Sequence, residues 1–226
     1  MEEPDNPRLD LYVLQQAAKP RPSVCFLPTG SAAPDSTTVA FYSACSRHNC
    51  KPSHLSLFGR TPDLSALLLS QDVIYVGGGN SKSMLALWRE WGIPELLRTA
   101  WNIGVVLAGV CGGALCWFEQ GVTDSFAHGM TVLPALGFIP GSCCPHYDDE
   151  ADRRPAYHGF VHRREIQAGF AIDIGAAIHF VGEEVHAVVA SRPEAKAYRV
   201  KPTDDGEVRE EALQVQYLRD LTIPRF

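Results

Sequence analysis

Val105-Val106-Leu107-Ala108-Gly109-Val110-Cys111-Gly112-Gly113-Ala114-Leu115-Cys116-Trp117-Phe118 passes from an apolar run through a glycine-flanked turn into a helix-forming run. The spacing predicts a buried strand over 104–107, a sharp turn at 109–113 and a helix over 114–118. At the turn stands Gly-x-Cys-x-Gly, the shape of a nucleophile elbow with cysteine in the serine position. Small residues at 109, 112 and 113 let the backbone turn tightly and hold the side chain of Cys111 outward. A helix starting just beyond would aim free N–H groups at that side chain, which favours a thiolate. The N–H of Gly112 could then donate to an oxyanion. Cys116 falls elsewhere on the same helix and reads as core.

Outward from this turn, the same alternation repeats. Ser23–Leu27 and Asp72–Val76 are short apolar runs ending in Pro-Thr-Gly and Gly77-Gly78-Gly79, and Ser53–Phe58 alternates like a strand. Between them, Ser36–Arg47, Asp63–Leu69, Lys82–Glu90 and Pro94–Ala100 have helical spacing. Asp35 or Ser36, Asp63 and Pro94 stand near helix starts. Continuous apolar strands alternating with helices predict an α/β fold, with a mostly parallel sheet covered by helices on both faces. Residues 137–139 read as a further strand. Phe170–Ile172, Ala176–Val181, Val185–Val189 and Ala197–Val200 are strand-like and separated by turns, which predicts a C-terminal antiparallel extension. Glu210–Leu218 reads as a last helix. With no linker, repeat or low-complexity tract, residues 1–226 are expected to form one domain, with 1–22 as a polar extension.

Composition narrows the function classes. The 226 residues are 46% apolar, enough for a packed core, and carry 20 basic against 26 acidic groups, a net charge of −6. There is no basic surplus to hold a phosphate backbone, so nucleic acid is not an expected partner. No apolar run reaches the ~18–20 residues of a membrane helix. The opening MEEPDNPRLD is unlike a signal or transit peptide. Seven irregularly spaced cysteines suit reduced thiols of a cytoplasmic protein rather than a disulfide framework.

A nucleophile needs a base, and spacing leaves several. His146, in Gly141-Ser142-Cys143-Cys144-Pro145-His146-Tyr147-Asp148, competes with His128, His158, His162 and His179. Acids able to orient an imidazole are Glu119, Asp124, Asp148, Asp149 and Asp173. Gly77-Gly78-Gly79-Asn80 lacks the Lys-Ser/Thr of a P-loop and suits an oxyanion donor at a strand end. Cys45, His48, Cys50 and His54 are spaced poorly for zinc, and no metal or cofactor is expected. Cys143-Cys144 reads as a strand end. Arg153-Arg154 and Arg163-Arg164 read as solvated faces.

Taken together, Tyr75-Val76-Gly77-Gly78-Gly79-Asn80, Leu85-x-Leu87-Trp88-Arg89, Gly109-x-Cys111-x-Gly113-Ala114, Thr123-Asp124-Ser125 and Cys144-Pro145-His146-Tyr147 resemble the peptidase E (aspartyl dipeptidase) family. The resemblance runs from about residue 23 to 200 and keeps the motif order. It implies a fold like the class I glutamine amidotransferases. It also implies a nucleophile at Cys111, a base at His146 and a charge-relay acid at Asp124. Gly79 and Gly112 match the oxyanion donors, with Gly78 and Asn80 beside them at the substrate. Two departures stand out. The family's elbow reads Ser-Ala-Gly where this chain has Cys111-Gly112-Gly113. A second acidic position in the family matches Ile174, within Asp173-Ile174-Gly175-Ala176-Ala177, so Asp124, Asp173 and Glu119 stay open as the third member. A thiol needs less help than a hydroxyl, because a Cys–His pair can exist as thiolate and imidazolium.

The expected activity is hydrolysis of a small peptide or amide through a thioester. Capture of the same thioester by an amine, giving acyl transfer or peptide-bond formation, is the alternative within this chemistry. A non-catalytic peptide-binding relative is the alternative outside it. A homodimer is compatible with either.

Overall fold

The computed structural model describes residues 3 and 5–219, in two compact units that part after Gly113. The first unit is built from α1 (Arg8–Gln16), β1 (Ser23–Leu27), α2 (Pro34–Cys45), β2 (Lys51–His54), α3 (Leu64–Leu69), β3 (Val73–Val76), α4 (Ser81–Glu90), α5 (Ile93–Asn102) and β4 (Val106–Gly109). Its four strands are all parallel, in the order β2-β1-β3-β4. All four side chains of β3 are buried, as expected of a strand covered on both faces. Met84, Leu85 and Trp88 of α4 and Ile93, Leu97 and Ala100 of α5 supply buried apolar faces. Phe26 stacks on Phe41 at 4.8 Å between ring centres. This is the helix-flanked parallel sheet the alternation predicts.

Two local expectations shift. Helix α2 begins at Pro34, with Ala33 as its N-cap, so Asp35 and Ser36 lie inside the first turn. Proline suits that position because its missing N–H has no intrahelical partner there. Strand β2 occupies 51–54, because its ladder with β1 runs from Ser23↔Lys51 to Phe26↔His54. Asp63 does cap α3, accepting from the N–H of Ala66 at 3.0 Å.

A single helical turn, α6 (Gly112–Leu115), straddles the division of the units. The second unit continues with β5 (Phe118–Thr123), β6 (Thr131–Pro134), β7 (Ile139–Pro145), α7 (Arg153–His162), β8 (Gly169–Ile172), β9 (Ala176–Val181), β10 (Glu184–Ala190), β11 (Ala197–Pro202), β12 (Val208–Ala212) and β13 (Gln216–Tyr217). Its larger sheet has the order β12-β11-β8-β7-β5-β6. The central β8, β7 and β5 are parallel, while β6, β11 and β12 run antiparallel to their neighbours. A smaller sheet, β13-β10-β9, completes the C-terminal extension.

Three expectations are corrected here. The helix anticipated over 114–118 is only the turn α6, and the chain is already extended at Phe118. Leu115 packs where Gly121 leaves room, and the Trp117 carbonyl accepts from Phe138 and Ile139. The strand anticipated over 137–139 instead runs from Ile139 through both cysteines to Pro145. The helix anticipated over 210–218 is two strands. Val208–Ala212 pairs residue by residue with β11, and sheet pairing overrides the weak helical preference of the segment. Among the described residues, no helix is long and apolar enough to cross a membrane.

Candidate active site

The first unit carries the candidate thiol. After β4 the N–H of Val110 bonds the Val76 carbonyl, extending the β3–β4 ladder by one residue. Cys111 then adopts φ +55, in the left-handed region. That conformation is uncommon for a residue with a Cβ and clusters at functional sites. It is held by close approach on the far side of the turn. A Cβ on Gly113 would lie 2.3 Å from the Val76 carbonyl oxygen, so only glycine fits. A Cβ on Gly78 would lie 2.8 Å from the Cβ of Cys111, which places the triple-glycine loop directly against the thiol-bearing residue. Gly79, at φ +119, is pressed on the loop after β1, where its own Cβ would fall 2.0 Å from the Gly30 carbonyl oxygen. Asn80 donates its N–H to that same oxygen at 2.8 Å, and its side chain caps α4 through Ser83. The side chain of Asn80 thus builds the loop.

Exposure separates Cys111 from the other cysteines. It is half-buried, while Cys25, Cys45, Cys50, Cys116, Cys143 and Cys144 are all buried and unbridged. Burial pushes the thiols of Cys25 and Cys144 up to about 11 and about 12, and that of Cys116 well up. In the Cys45–Cys50 pair, the hydrogen bond between the thiols raises Cys45, with burial adding to it, and lowers Cys50.

The second unit carries the candidate imidazole. His146 is the residue after β7 and takes φ +54. Cys111 and His146 are thus two of four non-glycine residues with positive φ in the described chain, beside Ala18 and Arg164. Strand β7 lies between β5 and β8, parallel to both. The pairing ends at Gly121↔Cys143 on one side and Pro145↔Ile172 on the other, and beyond it the Tyr147 N–H bonds the Ile172 carbonyl, so His146 is an extra residue at the end of the β7–β8 ladder. Asp124, His146 and Asp173 are the residues that directly follow β5, β7 and β8, three adjacent parallel strands. Such strand ends are where open α/β sheets place their ligands.

The candidate acids differ in setting. Asp124 is exposed, with a side-chain exposure of 63%, and lies 4.0 Å from the Arg153 guanidinium. Asp173 is buried and accepts from the Lys196 N–H at 3.0 Å; burial raises its pKa, and Asp148 adds to the rise. Asp148 itself accepts from the N–H of Ile174 at 2.8 Å. Glu119 sits at the opposite end of β5, bonded to the Gly141 N–H at 2.9 Å, five residues or roughly 17 Å along the strand from Asp124. Asp149 is exposed.

Arg153 corrects the expectation of a solvated face. Its guanidinium is 2% exposed and clamps both oxygens of Glu150, at 2.9 and 3.0 Å, while donating to the Val122 carbonyl. The only hint in the sequence is the i,i+3 spacing of Glu150 and Arg153. Arg163 and Arg164 are exposed as read. Among the described residues, no group of three or more His, Cys, Asp or Glu side chains could hold a metal ion.

Comparison with known proteins adds relatives. The family model described as Peptidase family S51 matches residues 1–188. The "Uncharacterized peptidase YgaJ" of Bacillus subtilis (strain 168) is 50% identical over 217 residues, 96% of this chain and 94% of that protein. A crystal structure of a peptidase from an acI-B1 Actinobacterium matches with TM-score 0.70 at 16% identity, over 93% of this chain and 89% of its own. A putative peptidase E protein from Listeria monocytogenes EGD-e matches with TM-score 0.54 at 18% identity, over 90% and 93%. At those identities the two structures bear on the fold.

Proposed function

The chain belongs to peptidase family S51, and from that premise we propose that it is a cysteine-nucleophile hydrolase of a small peptide or amide. The observation that carries the reading is the setting of Cys111. It alone among seven cysteines is not buried, and it occupies a left-handed turn between a strand and a helical turn.

In the proposed reaction the Cys111 Sγ attacks the scissile carbonyl carbon, and the thiol proton passes to the His146 imidazole. Negative charge moves to the carbonyl oxygen, where the N–H groups of Gly79 and Gly112 receive it. Collapse breaks the C–N bond; the departing amine takes the proton from the imidazolium and leaves a thioester on Cys111. Water then attacks the thioester, His146 accepts its proton, and the acid departs as Cys111 is restored to a thiol. Asp124 orients the imidazole from the neighbouring strand end. Gly78 and Asn80 shape the loop that the substrate carbonyl meets.

Incubation with a panel of dipeptides and amides, acid quench and intact-mass analysis test this. We expect an acyl adduct that maps to Cys111 and is absent from Cys111→Ala. Turnover that persists in Cys111→Ala would overturn the nucleophile assignment.

A further inference from the structure

Behind His146 lies a polar cluster to which the proposed reaction gives no role. Tyr147, the next residue, is 2% exposed, and its ring packs edge-on to Tyr157 and against Tyr198. Its Oη donates to Glu210 Oε2 at 2.5 Å, and His158 Nε2 lies 2.9 Å from that hydroxyl and 3.0 Å from the same carboxylate oxygen. Arg154 bonds the other oxygen of Glu210, with its guanidinium over the rings of Tyr147 and Tyr198. Glu210 thus receives donors from the loop after β7 and from two residues of α7 spaced i,i+4 on one face. Burial opposes its ionisation, but Tyr147, His158 and Arg154 outweigh that and hold its carboxyl below the usual range. Burial, with Glu210 alongside, pushes the Tyr147 phenol far up, so it stays a neutral donor.

We propose that Tyr147 and Glu210 are positioning residues for His146, fixing the left-handed turn that carries the imidazole. The inference rests on His146 being the base. A non-glycine residue at φ +54 persists only where its surroundings over-determine it. The three anchors after His146 go to three places. Tyr147 is tied to β12 through Glu210 and to the Ile172 carbonyl through its N–H. Asp148 is tied to Ile174, and Glu150 to Arg153. Of these, the phenol–carboxylate contact is the side-chain bond that ties the residue next to the imidazole to another strand, beside the backbone bond to β8. Within this cluster Tyr147 is buried and the Glu210 side chain is 13% exposed, while Arg154 and His158 reach solvent at 53% and 34%, so the exposed ion pair adds little to stability. A role in geometry accounts for the arrangement.

The test is the rate of Cys111 alkylation by iodoacetamide between pH 5 and 9, followed by peptide mapping, with thermal melts run in parallel. The variants are Tyr147→Phe, Glu210→Gln and His146→Ala, with Arg163→Gln as a control at the C-terminal end of α7, where it removes an exposed pair with Glu165 and a contact with the Phe160 ring. In Tyr147→Phe and Glu210→Gln we expect the rate at pH 6–7 to fall about tenfold, because small displacements of a reacting group are expensive. Near pH 9, where an unaided thiol ionises (about 8.5), the rates should converge to within about twofold. A merely structural role would lower the melting temperature without changing the pH profile. Should Tyr147→Phe melt too low to assay, Glu210→Gln carries the same comparison. Wild-type profiles in both variants, beside a depressed profile in His146→Ala, would overturn the positioning role and leave the base intact. A wild-type profile in His146→Ala would overturn the base, and the positioning role with it.

Discussion

At φ +55 and +54, Cys111 and His146 hold conformations that an L side chain resists by about 1–2 kcal/mol. The thiol's place at the turn is legible because it depends on neighbours in the chain: glycines before and after a cysteine, between a strand and a helical turn. The histidine is legible only by resemblance, since no local signal separates His146 from the other loop histidines. We expect Cys111 to be alkylated first under limiting iodoacetamide at pH 7. Cys50 is the rival by acidity, but it is 5% exposed, and access as well as ionisation governs thiol reactivity. Preferential labelling of Cys50 or Cys143 in a peptide map would remove Cys111 from the nucleophile role. Gly78→Ala drives a methyl group to 2.8 Å from the Cβ of Cys111. Its turnover, measured on whatever substrate the panel identifies, should drop by more than about tenfold as the thiol is displaced. Gly113→Ala meets first the Val76 backbone, which cannot swing aside, and should cost at least about 2 kcal/mol in denaturant unfolding.

Strands that are continuous apolar runs, such as β1 and β3, declare themselves because burial on both faces leaves no polar positions to confuse the pattern. Segments defined by pairing do not. Val208–Ala212 carries two adjacent glutamates and an arginine and becomes a strand only beside β11. That Asp124, His146 and Asp173 follow adjacent strands is likewise invisible until the order of β5, β7 and β8 is known. Arg153 looks solvated until its partners Glu150 and the Val122 carbonyl are in place. At this scale the orienting acid can be tested. Asp124→Asn should slow turnover less than His146→Ala does, because a thiolate–imidazolium pair is already ionised and the acid mainly fixes the ring. In a serine triad the same change reaches ~10⁴. Equal losses in the two variants would show that the acid does more than orient.

Over the whole molecule, pH acts through acids of opposite sign. Burial works against Asp72, but Lys19 at 2.5 Å and the Ser23 N–H hold its carboxyl below the usual range, as the donors around Glu210 do there. For these two, the stabilisation is complete above the unfolded values near ~4 and is lost as pH falls through the depressed folded values. Asp173 runs the other way. Its raised folded pKa means the native state binds the proton first, so its ionisation burdens the fold at neutral pH and relents as pH falls towards ~4. Asp173→Asn keeps an acceptor for the Lys196 N–H. It should therefore raise the melting temperature at pH 7, with a gain that fades by about pH 4. An unchanged difference across melts at pH 7, 5.5 and 4 would show that Asp173 does not carry this burden. The extra residue at the end of the β7–β8 ladder has a consequence of its own, since His146 sits where the regular pairing has already ended. A residue inserted into a ladder re-aims its side chain away from the strict in-and-out alternation of its neighbours. The irregularity that hides this histidine from a reading of the alternation is therefore what sets its side chain apart from the strand that carries it.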